Sequence, residues 1–317
     1  MTTLTFTQLI NRTLALNEDA GSLEAYQFIT EHANEVQGNR AQIFNFRYAL
    51  AGAAGLEQEA LTIMREAIIE HGYWYGYEYL MGDEDLQLLH KYDVFQEMAQ
   101  LCKKREADAQ QTVTPTLKVI RDQNSSEHES PTLVIALHGD QENIEITEGY
   151  WRSIVSDHCM LALPQSSQIQ FSDSYDWEDV DKGSDELQEH YDRMLDSQSI
   201  EPINVIVGGF SAGAKVALNA ILSGQISAKG FILVAPWLPE IEEWEHVLDT
   251  LAERNIKGYV ICGNADEDGY ESTIQLVTLL DEKNVDHVFI EVDGLDHDYP
   301  ANFEQLLNEA TEYIVGL

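Results

Sequence analysis

The sequence predicts an α/β protein, a doubly wound and mostly parallel sheet, with an all-helical domain at its N-terminus. Three observations predict it. Beyond Pro115, short β-branched runs alternate with segments of helical period. Before about Ala109 there is no strand alternation, and apolar residues recur at helical spacing. Within the former region, Val205-Ile206-Val207-Gly208-Gly209-Phe210-Ser211-Ala212-Gly213 reads as strand, sharp turn and helix, with Ser211 at the apex. Short apolar strands alternating with helices build a sheet covered on both faces, and ligands of such sheets bind at the carboxyl ends of the strands.

In the N-terminal region, Ala60, Leu61, Met64, Ala67 and Ile68 form one apolar stripe, and Ile43, Phe46 and Leu50 another. The small residues Ala51 to Gly55 let two helices approach closely. Phe44 to Gly72 resembles a tetratricopeptide-type helical hairpin, with Ala60 and Ala67 at its small-residue positions. Phe44 stands where the signature Trp is expected and Gly72 where the closing Pro is expected, so a generic helical bundle is the alternative. A further helix is expected over Asp83 to Phe95. The polar run from Lys103 to Thr114, followed by Pro115, marks the boundary between a helical domain, 1–109, and a catalytic domain, 113–317.

In the second domain, strands are expected at Thr116–Ile120, Thr132–Leu137, Cys159–Leu163, Ile203–Val207, Gly230–Ala235, Gly258–Cys262 and Val288–Val292. Helices are expected at Gly149–Ser156, Asp185–Asp196, Ala212–Leu222, Glu242–Arg254, Thr273–Glu282 and Asn302–Ile314. Asp122 to Pro131, with Asn124-Ser125-Ser126, reads as a polar loop.

Composition bounds the function. Of 317 residues, 44% are hydrophobic, enough for a real core. There are 56 acidic residues against 18 basic ones, a formal charge of −38, and such a surface repels nucleic acid and anionic membranes. Adaptation to high salt, where self-repulsion is screened, is one reading of that charge. A solvated coat that maintains solubility is the other. Cys102, Cys159 and Cys262 form no CxxC pair and read as core residues in a reducing compartment. Met1 to Ala20 lacks the continuous apolar core of a signal peptide, and no run approaches a membrane span. A cytoplasmic protein is expected. No metal or cofactor is expected, since no HExxH or other ligand spacing occurs.

The chemistry centres on Gly209-x-Ser211-x-Gly213. A serine on so tight a turn takes a strained backbone, and larger side chains two residues away would collide with neighbouring elements. The Ala212 N–H opens the next helix, where partial positive charge favours an oxyanion. Leu133 to Leu137 runs into His138-Gly139-Asp140-Gln141, whose glycine turns the chain so that the Asp140 N–H can be a second donor. His138 precedes the serine and reads as structural. The acid is expected after a later strand, in Gly263-Asn264-Ala265-Asp266-Glu267-Asp268, with Asp266 preferred and Glu267 and Asp268 as alternatives. The base is expected last. His297 follows Val288 to Val292 in a turn-rich loop, whereas His71, His90, His158, His190 and His287 read as structural or solvated. In a Ser–Asp–His set, His297 would take the Ser211 proton and Asp266 would fix the imidazole tautomer.

On His138-Gly139, Gly209-Phe210-Ser211-Ala212-Gly213, Gly263-x-x-Asp266 and His297, residues 113–317 resemble the α/β-hydrolase superfamily. Within it they are similar to the phospholipase/carboxylesterase group that includes acyl-protein thioesterases. Leu163-Pro164 and Tyr175-x-Trp177 also fit, and Asp140-Gln141 departs from the hydrophobic or glycine residues common there. The resemblance implies a serine hydrolase of carboxylic esters or thioesters, with Gln141, Trp177 and Phe210 in the substrate pocket. A carboxylate at Asp140 would disfavour anionic substrates. A peptidase of the same fold and an inactive scaffold serving as a binding module are the alternatives. The helical domain could cap the site, self-associate or dock a protein partner.

Overall fold

The computed structural model describes residues 4–122, 132–196 and 203–316; most of the polar loop expected at Asp122–Pro131, including Asn124-Ser125-Ser126, lies outside them. The chain divides into two compact units, Met1–Val113 with Ile169–Tyr175, and Thr114–Gln168 with Asp176–Leu317.

The first unit is helical: α1 (Phe6–Asp19), α2 (Ser22–His32), α3 (Arg40–Ala53), α4 (Glu57–Arg65), α5 (Tyr77–Gly82) and α6 (Asp93–Thr112). A capping box, Thr5 with Gln8, starts α1 by satisfying two amides that the helix leaves over. The hairpin expected over Phe44 to Gly72 is α3 and α4, the latter continuing into a π-helical turn, Glu66–Glu70. Such a turn misaligns carbonyls, and Arg105 of α6 reaches across to donate to the Ile68 and Tyr73 carbonyls at 2.6 and 2.9 Å. Ala60 and Ala67 are fully buried among Phe44, Tyr48, Met64, Trp74 and Phe95.

One expectation needs correction here. Asp83–Phe95 is not one helix: the Asp83 carboxylate caps a 3₁₀ turn, Glu84–Leu89, and α6 starts at Asp93. The polar run from Lys103 is the second half of α6, exposed along much of its length, and the helix continues to Thr112 before Pro115.

In the second unit the order is β1 (Thr116–Ile120), β2 (Thr132–Leu137), α7 (Ile144–Trp151), β3 (Cys159–Gln165), the hairpin β4 (Ile169–Phe171) and β5 (Ser174–Tyr175), α8 (Val180–Asp196), β6 (Asn204–Phe210) and α9 (Ala212–Leu222). Then follow β7 (Gly230–Val234), α10 (Ile241–Glu253), β8 (Lys257–Gly263), α11 (Tyr270–Glu282), β9 (His287–Val292) and α12 (Phe303–Val315). The hairpin was not expected, and its residues belong to the first unit. Helix α7 starts five residues before Gly149, because the Asn143 side chain caps it by accepting from the Ile146 N–H.

Seven strands form the main sheet in the order β1-β3-β2-β6-β7-β8-β9, with β1 antiparallel to β3 and every other pair parallel. Alternation along β2 shows how both faces are covered. Leu133, Ile135 and Leu137 pack with Leu187, Val216, Leu248 and Leu276 of α8 to α11, while Val134 and Ala136 pack with Trp151, Phe303 and Leu307 around α7 and α12. Each of the Leu, Ile, Val and Phe side chains among them stabilises the fold by about 1.5–3 kcal/mol through burial. The strand order reverses at β2, so a crevice is expected beyond the carboxyl ends of β2 and β6. Among the described residues no helix is long and apolar enough to cross a membrane.

Candidate active site

Strand β6 ends at Phe210 and the backbone reverses at Ser211, with φ 52° and ψ −121°. Residues other than glycine rarely take this conformation, and it persists only where the surroundings fix it. Here the Ser211 N–H donates to the Val234 carbonyl at 3.0 Å, and its own carbonyl accepts from Ala214 and Trp237 at 3.1 and 3.3 Å. A Cβ on Gly209 would lie 2.7 Å from the Gly213 carbonyl carbon, and one on Gly213 would meet the His138 carbonyl oxygen and lie 2.8 Å from that of Leu137. The two glycines are therefore required by close approach, as the spacing implies. Ser211 is 8% exposed at the top of the sheet. Ala212 is the first residue of α9, so its amide is among those a helix leaves without an intrahelical partner.

The carboxyl ends of β8 and β9 supply an acid and an imidazole. Asp266, 1% exposed, accepts the Gly269 and Asp268 amides on Oδ1 at 2.8 and 3.1 Å, and its Oδ2 lies 2.9 Å from His297 Nδ1. Burial alone would raise its pKa, but the hydrogen bond and charge of His297 and the two amides outweigh it and hold the carboxyl below its ordinary value. Conversely, burial lowers His297, and Asp266 first, then Asp268 and Glu142, more than reverse this. Glu267 and Asp268 are exposed, and neither takes the Asp266 place against the ring. Asp266 and His297 thus meet beyond the carboxyl ends of β8 and β9, and the His297 ring lies 4.9 Å from that of Phe210, the residue that leads into Ser211.

At the end of β2, residues Gly139 to Glu142 form a turn closed by the Glu142 N–H on the Gly139 carbonyl, 3.3 Å, with Gln141 at φ 57°. Asp140 sits at its tip. Partial removal from water, and then the nearby Asp176 carboxylate, push the Asp140 carboxyl up to about 6. His138 is buried, as a structural residue should be. Its Nδ1 donates to the Gly139 carbonyl at 2.8 Å and its Nε2 accepts from the Ser166 N–H at 3.4 Å, which fixes a neutral tautomer.

The pocket residues separate. Half-buried Gln141 stands in the turn. Trp177 is 3% exposed, stacks 4.6 Å from the His138 ring and donates its indole N–H to the His138 carbonyl. It is packing behind the turn, not an open wall. Phe210 is likewise buried, between His297 and Tyr299. The accessible aromatic is Trp237, 42% exposed after β7 and hydrogen-bonded to the serine turn, with Lys215 Nζ 4.8 Å from its ring. Sequence reasoning missed Trp237, Glu142 and the buried Lys215, which pairs with Glu240 at 2.7 Å. The signal for Trp237 was its place just past a strand end. All three cysteines are buried, and burial pushes Cys102 up to about 11 and Cys159 and Cys262 up to about 12, so none is a poised nucleophile.

A largely parallel sheet with a serine turn after one strand, and an acid and a histidine after two later ones, defines an α/β-hydrolase. Comparison with known proteins agrees. Residues 159–281 match the family described as phospholipase/carboxylesterase, and residues 5–110 match one described as the N-terminal domain of α/β-hydrolase-like proteins. A crystal structure of an uncharacterized protein from Bacillus cereus is 52% identical, with 98% of this chain and 99% of that one covered and a TM-score of 0.57. Est1E from Butyrivibrio proteoclasticus (13% identical, 64% of this chain and 94% of that one, TM-score 0.51) and esterase PE8 (18%, 64% and 99%, 0.50) share the fold. No curated protein matches the chain. The chain is an α/β-hydrolase by fold, and over residues 159–281 it is similar to the phospholipase/carboxylesterase family.

Proposed function

We propose that the protein hydrolyses carboxylic esters or thioesters through an acyl-enzyme on Ser211. The observation that carries this reading is the 2.9 Å contact between His297 Nδ1 and the buried Asp266, beside a serine held in a strained turn. With Nδ1 committed to Asp266, Nε2 is the nitrogen that takes the Ser211 proton as Oγ attacks the carbonyl carbon. The same nitrogen returns the proton to the leaving alkoxide or thiolate, then activates water to release the carboxylate. The Ala212 and Asp140 amides are assigned to the oxyanion, each worth about 2.7–4 kcal/mol. Trp237 offers an apolar wall, and the Asp140 carboxylate, ionised above about pH 6, favours neutral acyl groups over anionic ones.

The test is a fluorophosphonate probe together with p-nitrophenyl butyrate and p-nitrophenyl hemisuccinate. Wild type is expected to be labelled and to prefer the butyrate, while Ser211→Ala loses both labelling and turnover. Turnover retained in Ser211→Ala would rule the mechanism out.

A further inference from the structure

Glu142 has no part in that mechanism, yet the site is built around it. It is buried at the C-terminal end of the Gly139–Glu142 turn, and its side chain folds back so that Oε2 accepts the Gly139 N–H at 2.8 Å. Its own N–H donates to the Gly139 carbonyl at 3.3 Å. One residue therefore clasps both ends of the turn, from the main chain and from the side chain. The fit is tight, since a Cβ on Gly139 would lie 3.1 Å from Glu142 Oε2 and 2.7 Å from the Phe210 ring. A non-glycine residue at φ 57°, Gln141, sits inside the clasp, and such a conformation needs external fixing.

We propose that Glu142 is a positioning residue, fastening the turn that presents the Asp140 N–H while its carboxylate acts on the His297 imidazole. The inference rests on the serine-hydrolase reading above. The Phe210 ring, which a Cβ on Gly139 would touch, lies 4.9 Å from the His297 ring, so the clasped turn and the imidazole share one neighbour; as a carboxylate, Glu142 there stabilises the imidazolium formed when His297 takes the serine proton, adding to Asp266. Asp140 on the same turn and Asp298 after β9 oppose its ionisation, and His297 favours it. Facing His297 from the loop after β8 are Asp266 and Asp268, and the Tyr299 phenol lies within reach of the Glu142 charge. Burial is the largest influence on Glu142 and pushes it up to about 7, so its charge changes in the range where a histidine base works.

The sign follows. A carboxylate near His297 raises the imidazole pKa, so removing the charge moves the acid limb of the kcat/KM profile to lower pH. Glu142→Gln keeps a carbonyl oxygen for the Gly139 N–H and removes the charge, whereas Glu142→Ala removes both. Measured on the full chain with a neutral p-nitrophenyl ester, Glu142→Ala is expected to lose about 100-fold in kcat, with KM changed less than threefold, as when an oxyanion donor is displaced. Glu142→Gln is expected to recover most of that loss and to show the shifted acid limb. An alanine variant within threefold of wild-type kcat would overturn the clasp, and a glutamine variant with an unmoved acid limb would overturn the action on His297. Should the alanine variant fail to fold, Glu142→Met, which fills the space but offers the Gly139 N–H no oxygen, takes its place with the same two outcomes. Ser211→Ala, assayed alongside, separates the two readings. If it is inactive while the Glu142 variants behave as wild type, only this inference falls; if it is active, both do.

Discussion

His138, just before the Gly139–Glu142 turn, and Glu142, its last residue, answer pH in opposite directions. Burial holds the His138 imidazole neutral down to about 4, against an ordinary 6.5. As pH falls below 6.5, the unfolded chain binds a proton there that the folded chain refuses, and stability is lost toward pH 4. Burial keeps Glu142 protonated up to about 7, against an ordinary 4.5. As pH rises past 4.5, the unfolded chain ionises first, and stability is lost toward pH 7. At ~1.4 kcal/mol per pH unit, each displacement is worth about 3 kcal/mol. The two therefore offset each other between pH 4.5 and 6.5. Replacing Glu142 by Gln removes one of them, so its stability relative to wild type should grow by about 3 kcal/mol between pH 4.5 and 7 in urea titrations. A constant difference across that range would contradict the burial of a protonated carboxyl. At this scale the sequence was uneven in what it revealed. Ser211, Asp266 and His297 were readable because a tight turn and the order of the strand ends constrain which residues can stand there. Glu142 was not, since nothing local distinguishes one buried carboxyl in a chain of 56 acids. Trp177 and Trp237 could not be ranked either, because exposure is set by what packs on top.

Among the strands, β4 and β5 are the two that sequence did not disclose. They are three and two residues long, too short for period-two patterning to register. The place of their hairpin is fixed by the helical unit. Ser172 exchanges hydrogen bonds with the Trp74 main chain, through its Oγ and its N–H at 2.8 and 3.1 Å, and Phe171 lies 6.0 Å from the Tyr75 ring. Asn39 does two jobs at once: Oδ1 caps α3 at the Gln42 N–H, and Nδ2 donates to the Ser172 and Asp173 carbonyls at 3.3 and 3.0 Å. Asn39→Asp preserves the cap but turns both donors into a carboxylate oxygen facing two carbonyls. We expect Asn39→Ala and Asn39→Asp each to lose about 2–3 kcal/mol in thermal or chemical melts, the cap alone being worth about 1. A loss under about 0.5 kcal/mol in the aspartate variant would mean that the cap, not the grip on the hairpin, is what matters. The longer elements were legible because each buries one face. Helix α9 was expected at Ala212–Leu222 and is found there, since the serine turn fixes its start.

For the whole molecule, the boundary between units is crossed three times, at Val113, at Gln168 and at Tyr175. A cut after Val113 therefore does not yield a finished hydrolase unit. It leaves Ile169 and Phe171, which pack against the helical core, without their partners. Deleting residues 1–113 alone should give a chain that self-associates in light scattering. Deleting them and replacing 169–175 by a Gly-Ser turn should restore a monodisperse species. If the simple deletion is already monodisperse, the hairpin does not need its helical partners. The same interleaving sets an order for synthesis. A helical unit at the N-terminus would ordinarily fold while the rest of the chain is still being made, but this one lacks seven of its residues until Tyr175 has been added. At about 5–20 residues per second, the roughly sixty intervening residues impose a wait of about 3–12 s. Through that interval the nascent helical core lacks Ile169 and Phe171 and leaves apolar surface uncovered, which opens a window for chaperones and for misassembly.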